Sequence, residues 1–409
     1  MNYKFLKVTS YYKSFLDYFY NSKIDIKSKN YDQHLNLLLS EAFGWGNFFQ
    51  INLNKLGNDA YEAILNADSL QAVWAAENNL GFSSSEEIFF HQVKKIEPDV
   101  LFLQDVSPFD QHFLSRVRNE VKSVKLIIGW LCAPYTEKNL KTLASCDFVC
   151  SCSELFIKQL TDNGIKCYRL NHAFENSLLP KIVNNTYPQT DFLFVGSFFP
   201  GSELHDERVQ VIEALLAEEI DMKIYTKLPK VSKLFVRKLA YQFYQQLKKY
   251  KLEGLYNISS TTKKVAQYKE APHAFKLSVK FMKAVESKPV FGIEMLKAFS
   301  KAKLGFNSHG GVAGDYACNI RLFEVTGVGS CLVTDHKKNI TDFFIPDKEI
   351  VTYKSVAECV EKAKWLLNHP NEMREIAASG QKRTLRDHTF YNRAVELDDI
   401  IKKELALKK

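Results

Sequence analysis

The chain has 409 residues, of which 46% are hydrophobic and 25% are charged, and its formal net charge is +8. This length favours two domains, and the composition is ordinary for a globular protein. No apolar run reaches the roughly 18–20 residues that a membrane-spanning helix needs, and the first eight residues lack a signal-peptide core, so we expect a cytoplasmic protein.

Eight cysteines are spread through apolar, strand-like or helical contexts. Cys146, Cys150 and Cys152 lie close together in the sequence, but no second cluster and no histidine at zinc-ligand spacing accompanies them. We therefore expect free thiols rather than a metal site, and we expect no bound cofactor.

The first 90 residues or so carry mainly helical patterns. Gly44-Trp45-Gly46 predicts a loop where the backbone comes close to another group, followed by a helix. Two Ala-rich segments, 60–67 and 70–79, have helical propensity, and we expect both to be helices.

From about residue 90 the pattern changes to helices that alternate with short, largely apolar strands. Strands of this kind predict parallel sheets covered on both faces. The predicted strands are 99–104, 124–130, 148–152, 167–170, 191–196, 222–226, 302–306 and 330–334. The predicted helices are 85–95, 205–218, 355–368, 370–380 and 390–405.

A polar segment bounded by Pro180 and Pro188 interrupts this series and predicts a linker. Two consecutive parallel α/β domains are typical of the GT-B architecture, in which two Rossmann-like domains enclose a cleft and ligands bind at the carboxyl ends of the strands. The predicted units are domains 1–182 and 189–385, a basic helical insert at 228–288, and a C-terminal helix, 386–409, that packs back toward the first domain.

The most informative motif is Asn319-Ile-Arg-Leu-Phe-Glu324, followed by a glycine turn and an apolar run that ends in Thr334-Asp335. This order predicts a helix start, a helix, a tight turn and a buried strand. A helix start offers free N–H groups, Arg321 adds a guanidinium suited to phosphate, and Glu324 offers a carboxylate for a pair of sugar hydroxyls. Together these are parts of a nucleotide-sugar site.

Further segments extend this pattern along the chain. They are 98–104, 194–198, 289–295, 303–309 and 383–393, and the strongest is Asn319-x-Arg321-x-Phe323-Glu324 followed by Gly329. In these segments the chain resembles the CgeB-like glycosyltransferases, a GT-B family first known from spore-maturation proteins and related to glycosyltransferase family 1 and 4 enzymes. The resemblance extends over about residues 90–395 and implies a nucleoside-diphosphate sugar as donor, but it says little about the acceptor.

The resemblance implies that Glu324 binds the ribose 2′ and 3′ hydroxyls. Arg321 would neutralise the diphosphate and the charge that builds on the leaving group. The alternative for both residues is a structural salt bridge between them. Asn319 is either a donor contact or a cap of the helix that follows it.

Four residues at strand ends complete the predicted donor site. Gly196 and Ser197 follow the first strand of the second domain, where glycine permits close backbone approach and serine can bind phosphate. Asn307 and His309 follow a later strand and are placed to face phosphate or the donor sugar. The alternative for His309 is a solvated loop residue.

One position departs from the family pattern. Retaining GT-B enzymes often carry a glutamate eight residues before the ribose-binding glutamate, and here that position is Tyr316, with Asp315 beside it. The sequence therefore leaves open whether the sugar configuration is retained or inverted.

A catalytic base is expected from the first-domain side of the cleft. Asp105 follows the strand at 99–104 and His172 follows the strand at 167–170, and chemistry in open sheets takes place at such strand ends. Alternatively, Asp105 caps the next helix and His172 packs at the hinge. Trp45 is either a core residue or a wall of the acceptor pocket.

The positive charge of the chain is concentrated in one region. Residues 222–289 carry 16 Lys or Arg and three Glu, a net charge of +13, so the rest of the chain carries −5. Within this region, 230–251 predicts an amphipathic helix that either lies on an anionic membrane surface or packs on its own domain. Its apolar face holds Phe235, Val236, Leu239, Ala240, Phe243 and Leu247, and its basic face holds Lys230, Lys233, Arg237 and Lys248.

These observations predict a glycosyltransferase that moves a sugar from a nucleoside-diphosphate sugar to a hydroxyl of a bacterial surface glycan or a lipid-linked acceptor. No Asp-x-Asp follows a strand, so we expect metal-independent catalysis. The alternatives are an epimerase-like enzyme of GT-B fold or a non-catalytic glycan-binding subunit. A dehydrogenase is not expected, because no Gly-x-Gly-x-x-Gly opens a helix after a strand, and neither is nucleic-acid binding, because the aromatic residues are not interleaved with lysines.

Overall fold

The computed structural model describes residues 2–81, 83–182, 188–198, 206–228, 231–252, 262, 265–266, 277–311 and 314–408. Most of the predicted linker, at 183–187, and much of the basic insert lie outside these residues, as does Lys230. The described residues form two parallel sheets, each covered by helices.

The first sheet has the strand order β2-β1-β3-β4-β5-β6, with all neighbouring strands parallel. Its strands are β1 Lys4–Thr9, β2 Asp59–Ile64, β3 Val100–Leu103, β4 Leu126–Trp130, β5 Phe148–Ser151 and β6 Cys167–Arg169. Its helices are α1 Lys13–Ser22, α2 Tyr31–Ser40, α3 Phe48–Lys55, α4 Asp68–Glu77, α5 Ser85–Ile96, α6 Gln111–Glu120, α7 Glu137–Ala144, α8 Glu154–Asp162 and α9 Leu179–Ile182, with 3-10 turns at Ile24–Ser28 and Asn176–Leu178.

The second sheet has the order β11-β10-β9-β7-β8 and is also parallel. Its strands are β7 Thr190–Val195, β8 Met222–Tyr225, β9 Ala302–Asn307, β10 Cys331–Asp335 and β11 Val351–Tyr353. Its helices are α10 Asp206–Ala217, α11 Val231–Lys249, α12 Val279–Ala284, α13 Gly292–Ser300, α14 Arg321–Gly327, α15 Val356–Asn368 and α16 Pro370–Asp387, with a 3-10 turn at Ile340–Asp342. Helix α17, Phe390–Ala406, follows.

The prediction of a helix at 60–67 is wrong, because Asp59–Ile64 is the edge strand β2, and its neighbour β1 was not predicted. Both strands carry a charged residue where an apolar one would be expected. Lys7 Nζ and Glu62 Oε2 lie 2.9 Å apart with both side chains almost wholly buried. Because the charges neutralise each other inside the fold, the strands are buried without the apolar run that marks such strands in a sequence.

The two domains share one apolar core. Trp45, Phe102 and Trp130 of the first domain belong to the same buried cluster as Phe323 and Phe343 of the second. The backbones also touch, since Ile293 N donates to Glu41 O at 2.9 Å. The side chains at the cleft are therefore held by contacts from both domains.

Helix α17 leaves the second domain and packs against α3 of the first. Its buried Asp398 accepts hydrogen bonds from Tyr3 Oη and Asn58 Nδ2, both at 2.9 Å. Farther along the helix, Glu404 pairs with Lys166 at 2.6 Å. These contacts tie the C-terminal segment to the first domain.

Candidate functional site

The carboxyl ends of β7, β9 and β10 meet at one edge of the second sheet, because these three strands are neighbours and run in parallel. Gly196 follows β7, Ser308 and His309 follow β9, and Asp335 ends β10. This edge is where open α/β sheets bind their ligands. The structure therefore brings together the strand-end residues that the sequence predicts.

Asn307 and Asn319 are linked at this edge. Asn307 Nδ2 donates to Thr334 Oγ1 at 2.9 Å, and Asn319 Nδ2 donates to Asn307 Oδ1 at 3.1 Å. The N-cap residue of α14 is Ile320, and its side chain makes no capping hydrogen bond. The alternative that Asn319 caps the helix is therefore wrong, since its side chain reaches across to β9 instead.

His309 is a buried residue that Asp335 holds at two points. The backbone N–H of His309 donates to Asp335 Oδ1 at 2.9 Å, and His309 Nδ1 lies 2.7 Å from the same oxygen. Its side chain is fully buried, and Nε2 has no hydrogen-bond partner among the described residues. The alternative of a solvated loop histidine is therefore wrong.

Asp335 stays a carboxylate in this position. Burial acts to raise its pKa, but the charge and hydrogen bonds of His309, together with Lys337 at 3.3 Å, hold the pKa of Asp335 well below its usual range. Because Asp335 accepts from Nδ1–H, Nε2 is the ring nitrogen of His309 that has no partner among the described residues. The bond to Asp335 fixes the ring in place at the sheet edge.

Arg321 and Glu324 meet in a close ion pair in the first turn of α14. Arg321 Nη1 lies 2.5 Å from Glu324 Oε2 and 2.8 Å from Met295 Sδ. Arg321 Nη2 also points at the carbonyl of Val195, at 3.4 Å, which places the guanidinium at the carboxyl end of β7. The structure therefore contains the salt bridge that is the alternative to ligand binding, and because both side chains are mostly buried it lies at the domain contact rather than on an exposed helix surface.

Glu324 lines a small cavity between the domains. Gly44, Glu175 and Phe390 line the same cavity, and its volume is about 10 Å³. A space of this size holds about one water molecule. The carboxylate that the sequence assigns to ribose therefore faces the first domain.

Arg208, on α10, is a basic residue of this edge that the sequence analysis did not single out. Its Nη1 donates to Ser197 O at 2.9 Å and its Nη2 donates to Ser308 O, so it joins the loops after β7 and β9. Burial lowers its pKa to about 10, which leaves the guanidinium charged at neutral pH. The sequence carried no clear signal for it, since an arginine next to Asp206 and Glu207 in the first turn of a helix has the pattern of an exposed ion-pair residue.

Gly196 is required by packing. A Cβ at this position would lie 2.5 Å from Phe194 Cζ, so any larger residue displaces the Phe194 ring. Ser197 beside it is exposed. The side chain of Ser197 is therefore open to solvent while its carbonyl is held by Arg208.

The two predicted base residues lie in the first domain in different settings. Asp105 is half-buried after β3, and its Oδ1 accepts from Ser107 N at 3.0 Å. The helix that follows is capped by Asp110, so the alternative of Asp105 as the cap is wrong. Asp105 Oδ2 has no partner among the residues that the structure describes.

His172 contacts Trp45. Trp45 Nε1–H donates to His172 Nδ1 at 2.9 Å, and the two rings pack edge to face. This bond occupies Nδ1 of His172 as an acceptor, so Nδ1 reaches another group only if Trp45 moves away. Trp45 itself is 3% exposed and lies in the core.

No group of three or more His, Cys, Asp or Glu side chains in the described part of the chain is arranged to hold a metal ion. None of the described helices is both long enough and apolar enough to cross a membrane.

The two parallel α/β domains, joined at their strand carboxyl ends, define the GT-B class of fold. The chain is 9% identical over 98% of its length to Anabaena HepE in complex with UDP and glucose, covering 100% of that chain with a TM-score of 0.56. It is 9% identical to a glycosyltransferase from Rickettsia africae, with 99% of each chain covered and a TM-score of 0.54. Sucrose-phosphate synthase from Thermosynechococcus elongatus gives 9% identity, 99% coverage of each chain and a TM-score of 0.53.

The match by sequence covers a smaller part of the chain than the match by structure. A family model described as glycosyl transferase-like matches residues 237–399, about two fifths of the chain. This range contains α14 and the strands β9, β10 and β11. No curated protein matches the chain.

Proposed function

We propose that this chain is a glycosyltransferase of the CgeB-like type, which moves a sugar from a nucleoside-diphosphate sugar to a hydroxyl of a surface glycan or a lipid-linked acceptor. The observation that carries the proposal is the position of Arg321 and Glu324 at the carboxyl end of β7, in a GT-B fold. A guanidinium and a carboxylate at this edge match the two polar halves of a nucleotide, its diphosphate and its ribose. HepE is a protein of this fold in complex with UDP-glucose, which favours a uridine nucleotide as donor.

Different residues at the carboxyl edge of the second sheet bind different parts of the donor. Glu324 accepts hydrogen bonds from the ribose hydroxyls once Arg321 turns to the diphosphate. Arg208 holds the Ser197 and Ser308 backbones, so the loops that face the phosphates stay in place. The unpartnered Nε2 of His309 binds a hydroxyl of the donor sugar once the domains separate, and Asn307 fixes Asn319 beside it. The positive groups stabilise the charge that develops on the departing diphosphate, without a divalent ion or a cofactor.

The acceptor enters from the first domain. Asp105 is the better placed of the two proposed bases, because its Oδ2 is available to take a proton while the His172 lone pair is engaged by Trp45. The cavity beside Glu324 has no room for a nucleotide, so the donor enters when the domains separate. Closure then excludes water and aligns the acceptor hydroxyl with the anomeric carbon.

A ligand screen tests this proposal. We expect UDP or a UDP-sugar to raise the unfolding temperature, corresponding to about 2.7 kcal/mol when the ligand is at 100 times its Kd, and dTDP and GDP compounds to do so less. Release of UDP in the presence of a glycan or lipid-linked acceptor then identifies a transferase. An epimerase would change the sugar without consuming an acceptor, and a glycan-binding subunit would show no nucleotide binding, so either result contradicts the proposal.

Helix α11 gives the enzyme a contact with an anionic membrane surface, such as the inner face of the plasma membrane. Phe235, Val236 and Leu239 are 61%, 63% and 50% exposed, which favours the membrane surface over packing of this part of the helix on its own domain. Residues 231–252 also contain six Lys or Arg and no Asp or Glu. Exposed apolar side chains beside uncompensated positive charge are typical of helices that lie in the headgroup region.

Vesicle flotation tests this contact. We expect the protein to float with vesicles that contain phosphatidylserine and not with pure phosphatidylcholine vesicles, and binding to weaken as salt rises. Replacing Phe235 and Leu239 with Ser removes two side chains that enter the bilayer surface and should lower the partition coefficient by about 10-fold or more. Leu407→Ser is the matched control, because Leu407 is 70% exposed on another surface. Equal losses in both variants, or no flotation of the native chain, would rule the contact out.

A further inference from the structure

A buried lysine lies in the middle of the first sheet. Lys7 is on β1, between β2 and β3, and it pairs in register with Glu62 of β2. Its side chain is fully buried, and its Nζ lies 2.9 Å from Glu62 Oε2. Two apolar residues of similar volume could fill this space without loss of stability, so the pair needs a reason other than stability. The remaining contacts of Lys7 Nζ supply one.

The ammonium group of Lys7 makes two more hydrogen bonds, one to each of two loops. It donates to Gln104 Oε1 at 2.9 Å and to the backbone carbonyl of Gly46 at 3.2 Å. An ammonium group has three N–H donors, so with the bond to Glu62 all three are in use. Gln104 is the first residue after β3, and Gly46 lies just before α3. One side chain therefore holds two loops that are far apart in sequence.

The loop at Gln104 carries the proposed catalytic base. Asp105 directly follows Gln104, and its Oδ1 accepts from Ser107 N at 3.0 Å. Gln104 N donates to Val8 O at 2.9 Å, so β1 holds both the backbone and the side chain of Gln104. A base acts only within hydrogen-bond reach of the proton that it removes, and therefore its loop must be fixed.

The loop at Gly46 carries the tryptophan that contacts the other predicted base. Trp45 Nε1 donates to His172 Nδ1 at 2.9 Å, and Lys7 Nζ lies 6.0 Å from the centre of the Trp45 ring. Gly44 and Gly46, on either side of Trp45, both have a positive φ, +62° and +46°. Because glycines permit many backbone conformations, the bond from Lys7 to the Gly46 carbonyl restricts this loop.

We propose that Lys7 is a positioning residue for sugar transfer, a role that rests on the function proposed above. Its ammonium group fixes the loop that directs the Asp105 carboxylate at the acceptor hydroxyl. The same group fixes the loop that keeps Trp45 in contact with His172 while the domains separate and close. Glu62 balances the charge, which allows the ammonium group to stay buried between the two loops.

Amide hydrogen exchange of the full chain tests the two loop contacts without any substrate. The variant Lys7→Met/Glu62→Leu replaces the ion pair with apolar residues of similar volume, so the fold should be kept. We expect exchange at the Gly46 and Ser107 amides to become at least about 10-fold faster, the effect of losing a hydrogen bond to a charged group. Native exchange at either amide would overturn the proposal.

Lys303→Met/Asp191→Leu is the matched control. Lys303 and Asp191 also form an ion pair across two neighbouring parallel strands, β9 and β7, at 2.6 Å. They lie at the amino ends of those strands, away from the loops that follow the carboxyl ends. We expect native exchange at Gly46 and Ser107 in this variant. An equal increase there would show a general loosening of the protein and would contradict a specific role of Lys7.

Gln104→Met gives a second test that leaves the Lys7–Glu62 pair in place. Gln104 is only half-buried, so the fold should tolerate the change even if the double variant does not fold. Only one of the two loop contacts is lost, so we expect faster exchange at Ser107 and native exchange at Gly46. Native exchange at Ser107 would show that Lys7 does not hold this loop.

Steady-state kinetics separate positioning from general structural damage. For Lys7→Met/Glu62→Leu we expect kcat for sugar transfer to fall at least about 10-fold, while the Kd for UDP stays within about twofold because the proposed donor site is on the second domain. An unchanged kcat, or an equal loss of UDP binding, would overturn the proposal. If the native chain binds UDP but transfers no sugar, the proposed function itself fails, a result that the exchange measurements do not depend on.

Discussion

Glu324→Gln is expected to lower kcat/KM for the nucleotide sugar by about 10- to 100-fold, because hydrogen bonds to a charged acceptor contribute about 1.5–3 kcal/mol. Glutamine keeps the volume of Glu324 but removes the carboxylate that pairs with Arg321 at 2.5 Å. The ribose lies away from the reacting bond, so its contacts stabilise ground state and transition state alike. The loss should therefore appear mainly in KM, with kcat changed much less.

The matched control for this variant is Glu396→Gln. Glu396 pairs with Arg393 at the same spacing of three residues and at 2.6 Å, but it lies on α17. We expect its kcat/KM to stay within about twofold of the native value, since partly exposed ion pairs of this kind contribute little. If both variants lose activity equally, the effect of Glu324→Gln is structural. If Glu324→Gln keeps native KM, the assignment of ribose to Glu324 is wrong.

The sheets were predictable from the sequence wherever burial on both faces produced a short apolar run. Strands β3, β5, β7 and β10 were predicted to within one or two residues at each end. β1 and β2 were missed because the Lys7–Glu62 pair interrupts their apolar pattern, and β11 was missed because it has only three residues, Val351–Tyr353. Periodicity records which residues are apolar, but it does not record that two buried charges neutralise each other across neighbouring strands.

Contacts within the site could be predicted where both residues lie in one short motif. They could not be predicted where the residues are far apart in sequence and meet only in the fold. Arg321 and Glu324 lie three residues apart, so their meeting follows from helix geometry. Asp335 and His309 are 26 residues apart and meet only because β9 and β10 are neighbours. Arg208 reaches two loops 111 residues apart in sequence, Ser197 and Ser308, a contact that needs the order of strands in the sheet.

Gly292→Ala should strongly destabilise the domain contact. Gly292 has a φ of +49°, and a Cβ there would lie 1.8 Å from the carbonyl oxygen of Glu41. Left-handed backbone costs a residue with a Cβ about 1–2 kcal/mol, and a clash with backbone adds about 1–3 kcal/mol. We expect unfolding in urea to begin at a lower concentration, with a total loss of about 2–5 kcal/mol.

Gly44→Ala separates the two causes of that loss. Gly44 also has a positive φ, +62°, but an added Cβ would meet nothing within 4 Å, so only the backbone strain of about 1–2 kcal/mol should appear. The difference between the two variants then measures the clash with Glu41. Ile293 N donates to Glu41 O at 2.9 Å, so moving Glu41 away to relieve the clash breaks a bond between the domains. Equal losses of unfolding free energy in the two variants would mean that Glu41 moves away from the added methyl group at no cost. The contact between Gly292 and Glu41 would then not hold the domains together.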